Sequence, residues 1–366
     1  MTNTLDSKYH GCRLQSYRLK GHDVVSIENS LVRLTVLLSK GADITEFRFK
    51  PFDIDVLWHS KRELPNLERF IPETAQGWDS FFDFFVGGWQ ESFPTGNTVG
   101  AHRLGQGTLH GEVSILPWEY EIISQSKERI EVRFFVECRR NPFRLERRIS
   151  LNEGEAQVAF DETITNLSPL ELEYAWGHHP SFGAPFLSEA CVLDLPAGNY
   201  STRERSEISQ PRLMPDQKSD KPIVKTVDGD DVDLRSVPGA DSGTWDNFEV
   251  ALSSAEPGRV AIRNPDLGFG FGMSWDREAF PYLWEWEVCS GWPNYPLWGR
   301  EYLLALEPFN CPIGGGLHNL AGKGVLPVLK PGEHKSTRFE FGFCSALNPF
   351  EGQFLKSDQI GIAVKK

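Results

Sequence analysis

The chain has a small set of side chains suited to proton transfer near neutral pH: Glu307, His110 and the adjacent pair His178 and His179. Glu307 ends the apolar run Tyr302-Leu303-Leu304-Ala305-Leu306 and is followed by Pro308, Asn310, Cys311, Pro312 and a glycine triplet, 314–316. Proline cannot extend a central ladder, so the run is predicted to be a strand that stops at the glutamate. That would deliver a carboxylate to the mouth of a core. Burial raises a carboxyl pKa and turns it into a useful base near neutral pH. His110 lies in Thr108-Leu109-His110-Gly111-Glu112, and the pair lies in Trp176-Gly177-His178-His179-Pro180-Ser181-Phe182. Imidazole is the side chain best suited to donating a proton near pH 7. One such residue alone is more often structural. Two glycine-flanked histidine segments together with a strand-end glutamate shift that balance towards acid–base chemistry.

Rival chemistries find less support. Zinc draws three or four ligands at local spacings such as H-x-x-x-H. Adjacent strand residues such as His178 and His179 point to opposite faces and do not easily share a metal. No phosphate-cradling loop, nucleophile elbow or dinucleotide fingerprint occurs. Glycosidases use paired carboxylates. Glu285 and Glu287 alternate with Trp284 and Trp286, a pattern read here as a solvated strand face. Glu91 and Asp83, near Trp89, are further acidic candidates.

The elements that must hold these residues are strands. Ile130, Val132, Phe134 and Val136 alternate with charged residues, as do Phe143, Leu145 and Ile149. This period of two marks half-buried antiparallel strands. Turn signals such as Asn141-Pro142, Asn264-Pro265-Asp266 and Lys330-Pro331-Gly332 separate them. The expected class is all-β, a large sandwich of more than one sheet. We expect a single domain over 1–366, interrupted by a polar surface excursion at about 200–241. Long surface insertions cost little stability, and a loop of this length can also border a binding site.

A net charge of -13 argues against nucleic acid or an anionic membrane surface as partner. No stretch approaches the ~18 apolar residues of a membrane span. The first eight residues carry no apolar signal region, so a cytoplasmic location is expected. The six cysteines form no C-x-x-C pair and are expected to be buried free thiols. The 11 Trp and 25 Phe make the chain rich in flat apolar faces, some of which must be core. Tryptophan stacks on the C–H faces of sugar rings, so this composition favours a carbohydrate ligand.

The order of these segments resembles the aldose 1-epimerase (galactose mutarotase) family: Leu-His-Gly around His110, then His-Pro-x-Phe from His179, then Leu-Glu-Pro around Glu307. Ile27 to Leu34, Lys40 to Ile44 and Phe280 to Trp286 are similar to the family's other strands, and the likeness spans roughly residues 24 to 345. The resemblance implies a β-supersandwich with an aromatic-lined cleft and reversible opening of a pyranose ring with neither metal nor organic cofactor. It implies Glu307 as general base on the anomeric hydroxyl, His179 as general acid on the ring oxygen, and His110 binding the sugar and stabilising charge at the ring oxygen. The family's sugar-binding arginine has no counterpart in the segment Gly87 to Asn97, where Gln90, Glu91 or Asn97 would take over hydroxyl recognition. Asp246 is the candidate for the family's acidic sugar ligand, with His178 and Trp286 as further contacts. A sugar-binding protein without turnover, or a glycoside hydrolase or lyase on a related sandwich, are the alternatives. The sequence leaves the sugar and the oligomeric state open.

Overall fold

The structure is a computed structural model that describes residues 11–69, 81–96, 100–102, 105–203, 211–314 and 316–360. Two large antiparallel sheets dominate. In the first, of 12 strands, the order runs Arg13–Leu19, His22–Glu28, Val32–Leu37, Asp43–Phe49, Trp89–Ser92, Gly177–Gly183, Tyr302–Phe309, Tyr282–Cys289, Thr244–Leu252, Gly198–Thr202, Lys218–Ser219, with Ile54–Asp55 paired beside Asp43–Phe49. The second, of eight strands, contains the clearly alternating segments of the sequence, Arg129–Glu137, Phe143–Asn152 and Gln157–Asn166, beside His334–Ser345 and Phe269–Trp275. Among the described residues no helix is long and apolar enough to cross a membrane. All six cysteines are free and buried.

Alternation accounts for how the sheets meet. Phe47 of the first sheet stacks on Phe343 of the second at 4.8 Å and 7°, and Trp89 meets Phe341 at 4.6 Å. Such ring pairs contribute about 0.5–1.5 kcal/mol each beyond the apolar area they bury. The central strands of the first sheet depart from the half-buried pattern. Every residue of Trp89–Ser92 and of Gly177–Gly183 is buried, on both faces. One face meets the second sheet. The other is covered by a smaller aromatic cluster containing Trp58, Phe81, Phe85, Leu109 and Trp245. This second, covered face holds the functional candidates.

The Glu307 strand does not end where the sequence suggested. It runs on through Pro308 to Phe309, paired throughout with Tyr282–Cys289. On its other side the ladder to Gly177–Gly183 is made at Gly177 and Ser181 but interrupted in between. The gap holds Pro180 and Pro308, neither of which has an N–H to donate. A central proline is therefore tolerated because it faces a break in the ladder. Gly177 is needed here: a Cβ would lie 2.4 Å from the Phe309 ring.

Candidate functional site

The register at both ends of that gap sets His179 opposite Glu307. Their side chains meet at 3.3 Å, Nε2 to Oε1, with only 6% and 4% of each exposed. Ser181 Oγ lies 3.1 Å from His179 Nδ1. Glu307 Oε2 is buried and has no hydrogen-bond partner among the described residues. Burial pushes the Glu307 pKa well above the carboxylate range and lowers that of His179 to about 4. Desolvation thus favours a pair that shares one proton with no net charge.

His110 comes from a loop. It adopts φ 59°, and Gly111 follows at φ 75° with its position pressed against the Phe93 carbonyl, 2.2 Å from where a Cβ would be. Two successive left-handed residues are uncommon and mark a locally constrained backbone. The turn brings the His110 ring to 4.8 Å from the His179 ring. Its Nδ1 is 3.0 Å from Gln90 Oε1. Gln90 Nε2 donates to Asp43 Oδ2 at 3.0 Å, and Lys40 donates to the same oxygen at 2.5 Å. Burial, then the neighbouring His179, lower the His110 pKa well below its usual value.

Aromatic rings wall the site. Trp286 meets His179 edge-on at 5.6 Å, and Phe81 and Phe85 meet His110 and His179 at 4.8 and 6.2 Å. Trp292 lies 4.5 Å from Trp245 and 6.1 Å from Trp286. Asn247 is registered against Trp286 and so shares its face. Its side-chain oxygen is buried without a partner among the described residues.

His110, His179, Glu307, Gln90 and Trp286 thus share one face. Glu91, His178 and Asp246 do not, which corrects their reading as sugar contacts. Strand alternation turns each of them to the opposite side. Glu91 and His178 point towards the second sheet, where Arg147 bridges Glu91 and Glu162, the latter at 2.6 Å. Trp176 Nε1 donates to Glu91 Oε1 at 2.5 Å, and His178 Nε2 is 2.9 Å from Glu162. Trp89 Nε1 donates to His178 Nδ1 at 3.1 Å. An indole N–H only donates, so Nδ1 is the acceptor and Nε2–H donates to Glu162. Glu91, Glu162 and His178 offer ligand atoms within 4.8 Å of one another. Every one of those atoms is already committed to Arg147 or a ring N–H, so the group reads as an arginine-centred network and not a metal site.

Asp246 accepts from the backbone N–H of Leu213 at 2.6 Å and of Asn247 at 2.9 Å. It is registered against Glu287, whose carboxylate binds Arg212 at 2.8 and 3.1 Å. Glu285 and Glu287 are consequently not a solvated face. The excursion after residue 200 folds back, and its Arg212 and Leu213 lie over them. Burial raises the Asp246 pKa to about 6 and that of Glu285 well above the usual carboxyl range. Asn97 lies outside the described residues. The sequence reading missed Asn247, Ser181, Asp43 and Lys40. For Asn247 the signal was present in principle, since it is one step from Asp246 and strand parity chooses between them.

The fold and the sequence can now be compared with known proteins. Structures sharing the fold include a candidate aldose 1-epimerase of Klebsiella pneumoniae, with TM-score 0.68 and 14% identity, covering 99% of this chain and 92% of that one. A galactose mutarotase-like protein of Clostridium acetobutylicum aligns with TM-score 0.63 and 12% identity over 92% and 99% of the two chains. A galactose mutarotase related enzyme of Lactobacillus acidophilus gives 0.56 and 15% over 92% and 100%. The architecture is therefore the galactose mutarotase-like fold. No curated protein matches the sequence. A family profile covers residues 19–343, and by it the chain belongs to the family described as a domain of unknown function, DUF4432.

Proposed function

We propose that the protein is an isomerase of the aldose 1-epimerase type, interconverting the anomers of a sugar by acid–base ring opening. The observation that carries this reading is the His179–Glu307 contact at 3.3 Å inside an aromatic-walled site. The hydroxyl oxygen and the ring oxygen of a hemiacetal are bonded to one carbon. Two proton carriers side by side can address both at once, which a single group cannot.

In the forward direction Glu307 takes the proton of the anomeric hydroxyl while His179 gives one to the ring oxygen. The bond between the anomeric carbon and the ring oxygen breaks, and the anomeric carbon becomes an aldehyde. Rotation about the adjacent carbon–carbon bond presents its other face, and closure returns both protons. The pair starts and ends with one shared proton, so no charge is created in a site where charge is costly. The resting form, with the proton on Glu307, and the working form, with the proton on His179, differ only by a proton transfer across their 3.3 Å contact. Trp286 offers a ring face for stacking, while Asn247 offers a polar atom for a hydroxyl. Glycoside hydrolysis has less support, because Glu285, Glu287 and Glu91 are all turned to the other side of the sheet.

Polarimetry of freshly dissolved single anomers tests the reading. Wild-type protein should speed mutarotation of at least one sugar in a panel of neutral, phosphorylated and acidic aldoses, and Glu307→Gln should not. An equal rate in the variant would remove Glu307 as the base.

A further inference from the structure

The chain of contacts behind His110 determines where that ring carries its hydrogen. Asp43 Oδ2 accepts from both Lys40 Nζ and Gln90 Nε2. An oxygen already accepting two N–H donors has no place for a proton of its own. The NH₂ end of the Gln90 amide is therefore held against Asp43, and its carbonyl end faces His110 Nδ1 at 3.0 Å. A carbonyl only accepts, so Nδ1 must be the protonated nitrogen. The left-handed backbone at His110 and Gly111 holds the ring against Gln90, and Phe81 meets it at 4.8 Å. In neutral imidazole the other nitrogen, Nε2, then carries the lone pair. Among the described residues Nε2 has no protein hydrogen-bond partner.

We propose that Lys40, Asp43 and Gln90 form a positioning relay that locks His110 in the Nδ1–H tautomer, so that Nε2 receives a hydroxyl proton of the sugar instead of donating to it. The proposal deepens the ring-opening reading and rests on it only for the identity of the ligand. It also changes the part expected of His110. A ring locked this way does not stabilise negative charge at the ring oxygen, because it has no N–H to offer there. It selects a substrate that brings an O–H donor to that position. Protonation of the ring oxygen is left to His179 alone. The relay spans two elements, with Lys40 and Asp43 around the start of the strand Asp43–Phe49 and Gln90 on Trp89–Ser92. Gln90 therefore acts on the sugar through His110.

Nitrogen-15 NMR of histidine-labelled, ligand-free protein tests the relay, with His110→Gln identifying the signal. The wild type should show His110 protonated at Nδ1 and bare at Nε2. Gln90→Leu removes the acceptor that the described residues offer Nδ1–H and should shift the ring towards Nε2–H. In Asp43→Asn the carboxylate no longer fixes the Gln90 amide, and a mixture of tautomers is expected. A wild-type ring protonated at Nε2, or an unchanged Nδ1–H ring in Gln90→Leu, would overturn the proposal. If neither variant folds, the wild-type spectrum still decides. The measurement needs no sugar and no turnover, so a negative result is distinct from a failure of the ring-opening reading.

Discussion

The strands Trp89–Ser92 and Gly177–Gly183 each carry polar residues to both faces, and the faces differ in how those residues are satisfied. Towards the second sheet, Glu91 and His178 have every side-chain polar atom paired, through Arg147, Glu162, Trp89 and Trp176. Towards the aromatic cluster, one residue along each strand, lie Gln90 and His179, and on that same face Glu307 Oε2 and Asn247 Oδ1 are buried without partners among the described residues. Burying a polar atom unpaired costs on the order of 1–3 kcal/mol. Along these two strands the fold pairs the polar atoms of one face and sets the other towards open oxygens, which holds the second face ready for a ligand; beyond these strands, Glu285 Oε1 and Oε2 on the second-sheet side are also without partners among the described residues. Burial and charge alone do not separate the two, since both faces are inaccessible and both carry histidine and carboxylate. Along these two strands, completeness of hydrogen bonding does.

The adjacent histidines give the sharpest way to break this comparison. His179→Gln is expected to lower the mutarotation rate by about 100- to 10,000-fold, the usual contribution of a general acid, while the melting temperature barely moves. His178→Gln should do the reverse, keeping turnover and losing stability. Rate assays and thermal melts of the two variants would refute the division if the effects were exchanged. On the paired face, Arg147→Ala leaves Glu91 and Glu162 as uncompensated buried carboxyls. Breaking such a network costs about 3–5 kcal/mol, readable by urea unfolding. A loss below about 1 kcal/mol would show that the network is not the clamp between the sheets.

A second comparison concerns neighbours on the strand Thr244–Leu252. Asn247→Ala is expected to raise KM with a small effect on stability. Asp246→Asn leaves one accepting oxygen for the two backbone N–H groups of Leu213 and Asn247 and should loosen the excursion without changing KM. Steady-state kinetics with proteolysis at the excursion distinguishes them, and a KM effect confined to Asp246→Asn would restore that residue as the sugar contact. The smallest effect is in pH dependence. Burial, then Glu162, raise the Glu91 pKa from 4.5 to about 7. The folded state therefore binds this proton more tightly than the unfolded chain. The resulting stability is fully present below pH 4.5 and declines as pH rises through about 7. Melting curves across that window should slope downwards in the wild type and flatten in Glu91→Gln. An identical slope in both would place the proton elsewhere.

Much of the scaffold was legible because half-buried strands alternate. The segments Arg129–Glu137 and Phe143–Asn152 could be read from their apolar spacing alone. The central strands were harder because both of their faces are covered, which erases the period. Pro308 looked like a strand end because its tolerance depends on the break in the ladder opposite it, between Gly177 and Ser181, a fact of pairing that no local pattern contains. Glu285 and Glu287 looked solvated because nothing near them in sequence shows that Arg212 and Leu213 fold back over them. The site was legible as a set of residue types and less so as a set of directions. Motif spacing pointed to His179 over His178, and the register puts that ring beside Glu307. The resemblance offered Asp246 as the acidic sugar ligand, and there the register turns the side chain to the other face.

Two-dimensional exchange NMR of anomeric protons, recorded with wild-type protein and with Glu307→Gln over the sugar panel, tests the central claim most directly. The expected result is an exchange cross-peak between the α and β signals of at least one sugar that appears with wild-type protein and vanishes with the variant, while both proteins melt at similar temperatures. Cross-peaks of equal intensity with both proteins, or sugar binding by the wild type with no exchange for any sugar, would contradict it.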